Sequence, residues 1–335
     1  MRKILISFCI VSLLLLACDK TNNSQMSGRD ISIDYTDGQY TRNTDSHYTR
    51  ITEGSYEEFY FVENANSVEL SRYRFFPFDT EANPDEITVV YLEIPDTFNG
   101  KPVKIIGDFA FYGTRMTTLK LPTYLEMIGK EAFWGSYVEE ILFNETLALI
   151  DEGAFTLSNV KDLVIPDSVT TLGNKAFTSS WTEHLRLGSN LKTIGEYAFS
   201  GNDIATVVFP ETLEVIEPYA FFSNSISKVT IPANVYRIGH NAFDSISEVT
   251  IGANVELVEI DTYGQYTYWN DFAVFYNRNG RRAGTYRTSE RLVPGGVESY
   301  WLHEENWDEP EHVEAREQVQ SYRDAMNSYS ADEEM

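Results

Sequence analysis

The stretch Leu191-Lys192-Thr193-Ile194-Gly195-Glu196-Tyr197-Ala198-Phe199 decides the fold, because its wording recurs along the chain. Ala-Phe stands at 110–111, 132–133, 154–155, 176–177, 198–199, 220–221 and 242–243, each copy 22 residues after the last. Ile or Leu precedes each Ala by four residues, and Gly follows it at 107, 129, 173, 195 and 239. Between copies lies a second block with apolar residues at offsets 0, 3 and 5, as in Ile226-Ser227-Lys228-Val229-Thr230-Ile231-Pro232. The alternation that ends this block is strand periodicity.

A unit of 22 residues cannot bury its own apolar side, but stacked units bury each other's. A period in the twenties with this pattern predicts a mainly β leucine-rich-repeat solenoid with short strands and tight or 3-10 turns. Strands of successive turns would pair in parallel at roughly 4.8 Å, so that each position of the unit becomes a column. Phe111, Phe133, Phe155, Phe177, Phe199, Phe221 and Phe243 would then form one internal ladder. The Ala beside each Phe suits a close approach of two segments, and the Gly after the Ile is expected to supply a positive φ. An eighth strand block, Val89-Val90-Tyr91-Leu92-Glu93-Ile94-Pro95, precedes a five-residue insertion around Asn99-Gly100-Lys101-Pro102-Val103. The last unit is short, with 8 residues from Phe243 to Ile251 against 10 in earlier copies.

The Ile-Gly-x-x-Ala-Phe wording, alternating with an apolar strand that ends in Pro, resembles the BspA-like leucine-rich-repeat family of bacterial surface proteins over about residues 87–262. Asp151, Glu217 and Pro218 depart from its pattern without threatening the fold. The resemblance implies recognition of an extracellular protein or glycan, in adhesion to host or neighbouring-cell components. A non-adhesive structural or scaffold role in the envelope is the alternative.

The N-terminus sets the expected compartment. Arg2 and Lys3 precede an apolar run from Ile4 to Ala17 that is too short to cross a hydrocarbon core, which needs about 20 residues, and suits a secretory signal. Leu15-Leu16-Ala17-Cys18 resembles the lipobox of bacterial lipoproteins, which implies cleavage before Cys18 and acylation of its thiol. The expected organisation is a signal peptide at 1–17, lipidated Cys18 and a flexible tether at 18–52, and capping strands at 53–88. The solenoid at 89–262, a C-terminal cap at 263–302 and an acidic tail at 303–335 follow. The chain would be lipid-anchored to the bacterial envelope, at the outer membrane or cell surface, with a periplasm-facing orientation as the alternative. Cys9 and Cys18 are the only cysteines, so the mature chain can form no internal disulfide.

Both ends of a solenoid need covering, because they expose core and strand edges. Phe59-Tyr60-Phe61-Val62 and Val68-Glu69-Leu70 predict a capping hairpin. Phe272, Phe275 and Tyr276 fall at helical spacing before Asn279-Gly280, and Ala283-Gly284-Thr285-Tyr286 can begin a closing strand. In the tail, Ala315, Val319, Tyr322, Met326 and Tyr329 would lie on one face of a helix, expected to dock on the solenoid flank or else to be disordered, with partner binding as the alternative.

Composition narrows function. With 51 acidic against 26 basic side chains, the formal net charge of −25 would repel a nucleic acid. An aromatic content of 14% argues against a disordered chain. The five His are scattered, and no metal, nucleotide or nucleophile motif stands out, so the expectation is a non-enzymatic protein without metal or cofactor. What remains is surface. The residue between the last two apolar positions of each strand block should point outward. That column reads Glu93, Lys120, Leu142, Val164, Arg186, Val208, Thr230 and Thr250, and its centre, Leu142, Val164, Arg186 and Val208, is the candidate contact strip. Tyr112, Trp134 and Phe222, after their Ala-Phe pairs, are expected to pack under neighbouring turns, with an aromatic edge for glycan or protein as the alternative.

Overall fold

The computed structural model describes residues 33–36, 39–43, 47–51, 55–77, 89–259, 268–293 and 296–332. The signal segment and Cys18 lie outside the described residues. The body is a stacked series of three-sided turns, a mainly β solenoid. One side carries the strand blocks, such as Arg115–Lys120, Tyr137–Leu142, Asp162–Val164 and His184–Arg186. A second side carries two-residue strands, among them Met127–Ile128, Leu149–Ile150 and Thr171–Leu172, paired in parallel with each residue on its equivalent one unit away. The third side is the Ala-Phe turn. There the Phe N–H donates to the Ala carbonyl of the next unit, as in Phe133 to Ala154 and Phe177 to Ala198, both at 2.8 Å. The two-residue strands and the Ala-Phe turns thus satisfy their backbone across the rungs, while the strand side is paired in separate groups and the block at 204–210 forms no strand.

The ladder forms as expected. Successive Phe rings stack with centroids 4.8, 4.9, 5.1, 5.6, 5.2 and 5.5 Å apart, and all seven are buried. Full burial of such a side chain stabilises by about 1.5–3 kcal/mol, and an aromatic pair adds roughly 0.5–1.5 kcal/mol. The ladder continues into the N-terminal hairpin, where Tyr73 stacks on Phe111 at 5.0 Å and Phe59 lies 5.1 Å beyond. That hairpin, Ser55–Glu63 with Val68–Pro77, joins the solenoid through parallel pairing of Val68 and Leu70 with Val103 and Ile106. The five-residue insertion is a hairpin too: Thr97–Phe98 pairs Lys101–Ile106 across Asn99-Gly100, whose φ values of 50° and 73° suit a two-residue turn.

The glycine expectation needs correction. Gly107, Gly129, Gly173, Gly195 and Gly239 are absent from the left-handed region, which is occupied two residues later by Phe109, Glu131, Gly153, Lys175, Tyr197, Tyr219 and Asn241, with φ between 49° and 63°. Instead the glycines sit where one turn presses on the one before. A Cβ on Gly239 would lie 2.2 Å from the Pro218 nitrogen, and one on Gly195 would lie 2.6 Å from the Gly173 carbonyl carbon. The left-handed residues are held by rung hydrogen bonds, such as Lys175 N–H to Glu196 O at 2.7 Å and Tyr197 N–H to Pro218 O at 3.0 Å. At the departures from the pattern, Asp151 accepts from the Glu152 N–H at 2.7 Å, and Glu217 pairs with Arg237 at 2.8 Å.

Two further differences concern the ends. Residues 33–51, read as part of a flexible tether, carry strands Ile33–Thr36, Gln39–Asn43 and His47–Ile51, which continue antiparallel from the capping hairpin. Tyr, Thr and Ile at close intervals give this segment strand propensity, and pairing covers the hairpin's outer edge. At the other end, helix α1 (Tyr268–Arg278) lays Phe272 and Tyr276 over the last turn, and Gly284–Val293 pairs antiparallel with Glu248–Ile251. Helix α2 (Pro310–Asp332) then packs on Gly284–Val293, burying Val319 and pairing Arg323 with Glu290 at 2.8 Å. The tail helix thus meets the closing strand Gly284–Val293 through Val319, rather than the solenoid flank, because that strand already pairs with the last turn.

Phe177→Asp is expected to unfold the solenoid, since it places an unpaired charge inside the ladder; thermal melting indistinguishable from wild type would contradict the ladder. The two backbone positions should behave oppositely. Gly239→Ala is expected to cost about 1–3 kcal/mol by overpacking, whereas the exposed Lys175→Gly should be neutral or stabilising by up to about 1 kcal/mol as the left-handed strain is relieved. Urea unfolding of both variants measures the contrast.

Candidate functional site

The strand side is the broad surface on which side chains are held in fixed rows. Leu163 and its equivalents point in, so Val164 and its equivalents point out. Register places Leu142 beside Lys120 and Val164 beside Arg186, each one rung apart. The outward column is exposed as expected: Leu142 to 40%, Val164 to 51% and Val208 to 85%, with Arg186 also exposed. His184 is exposed on the same strand.

Charge on this face is organised across rungs. Lys120 pairs with Glu93, Lys161 with Glu183 at 2.9 Å, and Lys228 with Glu248 at 3.4 Å. The Lys161 pair draws the Glu183 carboxyl below its ordinary range and raises the Lys161 ammonium. Away from the face the same device recurs, in Lys130 with Glu152 and Lys192 with Glu214. Arg186 differs: among the described residues it has no carboxylate within ion-pair distance. The nearby Asp167 carboxyl is lowered chiefly by the Ser189 N–H and hydroxyl, with a smaller contribution from Arg186. The strip therefore combines three exposed aliphatic side chains with a cation whose fork of donors is available.

The sequence reading missed Trp181, which stands at the edge of this face, five residues before Arg186. It is 61% exposed and holds φ at 60°, a costly conformation for a bulky residue. Its neighbours fix it there. Ser180 and Thr182 are buried, with hydroxyls 3.1 Å apart, and the Asn202 amide oxygen accepts from the Thr182 N–H at 3.0 Å. Asn202 in turn donates to the carbonyls of Phe177 and Phe199, both at 2.9 Å. This buried row, Ser136, Ser158, Ser180, Asn202 and Asn224, was legible as one more 22-residue column. Trp181 was not, because the residues one unit away are Asn159 and Asp203 and set no pattern.

Of the aromatics after Ala-Phe, Trp134 and Phe222 are half-buried, and Tyr112 differs from expectation. Tyr112 is 52% exposed and stacks on Trp134 at 4.8 Å along the outside of the turns, rather than beneath them. The reason is the ladder itself: the adjacent Phe fills the interior, and the next side chain must leave it. Glu309, Glu311 and His312 bring possible metal-ligand atoms within 4.8 Å of one another at the start of α2. Both carboxylates are exposed, and the His312 ring lies 3.5 Å from Glu311, the geometry of a surface ion pair. No helix among the described residues is long and apolar enough to cross a membrane.

Among curated proteins, none matches the sequence. Among solved structures, a leucine-rich repeat protein from Bacteroides ovatus is 19% identical, with a TM-score of 0.38, over 62% of this chain and 66% of that one. A leucine rich cell surface protein from Faecalibacterium prausnitzii is 22% identical, with a TM-score of 0.39, over 63% of this chain and 54% of that one. The T. pallidum leucine rich repeat protein is 19% identical, with a TM-score of 0.41, over 66% of this chain and 92% of that one. The description of the BspA type leucine rich repeat region matches this sequence in six copies, over residues 90–204 and 170–270. That match takes in more than half of the chain and the whole of the Phe ladder, and the chain belongs to the BspA-type leucine-rich-repeat family.

Proposed function

We propose that this chain is a membrane-anchored bacterial lipoprotein whose solenoid recognises a protein partner through the strand face, in adhesion to host or neighbouring-cell components. The observation that carries the reading is Arg186. On a face where Lys120, Lys161 and Lys228 are each engaged by a carboxylate, Arg186 stands with none among the described residues, between the exposed Val164 and Val208. Arginine and tryptophan are the residue types enriched at the energetic centres of protein interfaces, and Trp181 stands five residues before Arg186. The rigid rungs supply pre-organisation, so little ordering entropy is lost on binding. Anchoring rests on the Arg2-Lys3 start, the apolar run and Leu15-Leu16-Ala17-Cys18.

Two measurements test the proposal. Arg186→Glu combined with Leu142→Ser should weaken attachment of the purified protein to immobilised matrix proteins or host cells by about 2 kcal/mol, some thirtyfold, without lowering its melting temperature. Unchanged attachment would remove this face from consideration. For location, protease added to intact cells should digest the protein, and Cys18→Ala should abolish lipid labelling. Protection until the cells are permeabilised would exclude adhesion and favour a structural role inside the envelope, and undiminished labelling would refute the anchor.

A further inference from the structure

Beside the contact strip the strand face presents a second outward column, two residues earlier in each rung: Glu140, Asp162, His184 and Thr206, all exposed. Its two carboxylates stand one unit apart, on the rungs of Leu142 and Val164. Elsewhere in the body the 22-residue step sets Lys against Glu, in Lys104 with Glu126, Lys130 with Glu152, Lys161 with Glu183 and Lys192 with Glu214. Here it sets acid against acid, and like charges on facing rungs destabilise. Glu140 accepts from the Thr118 hydroxyl at 3.3 Å, whereas Asp162 has no hydrogen-bond or ion-pair partner among the described residues. The nearest lysine in sequence, Lys161, is taken by Glu183 at 2.9 Å.

The surrounding charge has the same sign. Glu139 is exposed next to Glu140 and accepts from the Tyr137 hydroxyl at 2.7 Å. This part of the face therefore sets four exposed carboxylates, Glu139, Glu140, Asp162 and Glu183, against two cations, Lys161 and Arg186. The net charge of −25 adds a long-range attraction for a cationic partner. Neighbouring rungs thus carry carboxylates without cations, exposed aliphatic side chains, and at Arg186 a cation without a carboxylate. A glycan supplies hydroxyls and anions, but a cation, an aliphatic group and a carboxylate together are the side chains of a polypeptide. A second copy of this chain would bring its own −25 against the face.

Spacing sets the form of the segment. Glu140 and Arg186 are two rungs and two residues apart, roughly 12 Å between Cα atoms, with rungs at about 4.8 Å and strand residues at about 3.3 Å. An extended segment covers that distance in about four residues, and its alternate side chains face the same way. We propose that the partner of the strand face is an extended polypeptide segment with a Lys or Arg, an aliphatic residue and a carboxylate at alternate positions. Its cation is held by Glu140 and Asp162, its aliphatic group lies on Leu142 and Val164, and its carboxylate meets the Arg186 fork. The inference rests on the strand-face reading above and names the chemistry of its partner.

Fluorescence polarisation of a labelled, capped peptide with the full-length protein in mild detergent tests the proposal. The peptide carries lysine, valine and glutamate at alternate central positions with threonine between them. It should bind saturably below about 1 mM and more weakly as salt rises, and its counterpart with glutamate in place of the lysine should not bind. Glu140→Gln with Asp162→Asn should weaken binding about tenfold without lowering the melting temperature, because it removes a repulsion. Glu309→Gln with Glu311→Gln removes the same charge away from the face and should leave binding unchanged. Arg186→Gln and a glutamine in place of the peptide's glutamate should each weaken binding, and together no further than either alone.

The proposal is overturned if the peptide gives no saturable signal, if the two neutralised pairs weaken binding equally, which marks bulk charge alone, or if the Arg186 and peptide effects add. Saturable binding of cellohexaose in place of the peptide, or sedimentation as a dimer that Val208→Glu dissociates, overturns it in favour of a glycan or a second copy. Failure of the face itself reads differently. Attachment to immobilised matrix proteins that is lost with Arg186→Glu and Leu142→Ser but kept with Glu140→Gln and Asp162→Asn leaves the face as a recognition surface and removes the cationic segment.

Discussion

Every residue of the solenoid lies one rung away from its own equivalent, and this self-stacking constrains the rest of the molecule. Parallel in-register pairing puts Met127 on Leu149 and Ile150 on Leu172, so a column admits only side chains that tolerate a near copy above and below. A flat ring does so at ring-stacking distance, which is why one Phe column can run from Phe111 to Phe243 with planes tilted by 19° or less. Charges do not. Like charges one rung apart would repel, and the chain instead sets Lys over Glu at a distance of one unit, as in Lys130 with Glu152. Each such exposed pair contributes little, about 0–1 kcal/mol, but avoiding the repulsive alternative matters in a chain of net charge −25.

The same constraint explains what could be read from the sequence. Positions that face the interior repeat because they stack, and repetition is visible without coordinates: the Phe ladder, the inward strand residues and the Ser-Asn row all recur at 22 residues. The caps were legible for another reason, since Phe272, Phe275 and Tyr276 show helical periodicity and Asn279-Gly280 a stop. Backbone conformation was not legible. A glycine can signal either a positive φ or a close approach, and the sequence alone does not separate them. Here the left-handed residue is Tyr197 or Lys175, whose side chains leave no trace of the turn, while Gly195 answers to the turn before it.

The outward positions were legible as a column and opaque as a site. Glu93, Lys120, Leu142, Val164, Arg186 and Val208 share one geometry yet follow no rule of type. The strands at 33–51 and the docking of α2 were hidden for a related reason: each depends on a partner edge or surface that forms only when the neighbouring element has folded. Trp181 joins this group. Its conformation is imposed by Thr182 and by Ser180 and Asn202, of which the last two belong to a repeating row, while its own identity repeats nowhere.

A solenoid therefore divides its residues by what they owe to their neighbours. Inward columns are fixed by self-stacking, and substitutions there act on the whole array, because each rung is stabilised mainly by the rungs beside it. Outward columns owe almost nothing to stability: Val208, 85% exposed, buries too little surface to matter for folding. Irregularity is thus expected on the outer face, and only irregularity that runs against the local physics carries information. Leaving aliphatic side chains in water beside a strongly acidic body and omitting a counter-ion for Arg186 both run against it. They fall on neighbouring rungs of one face, which is the physical reason the proposed recognition is assigned there rather than along the equally exposed Lys-Glu rows.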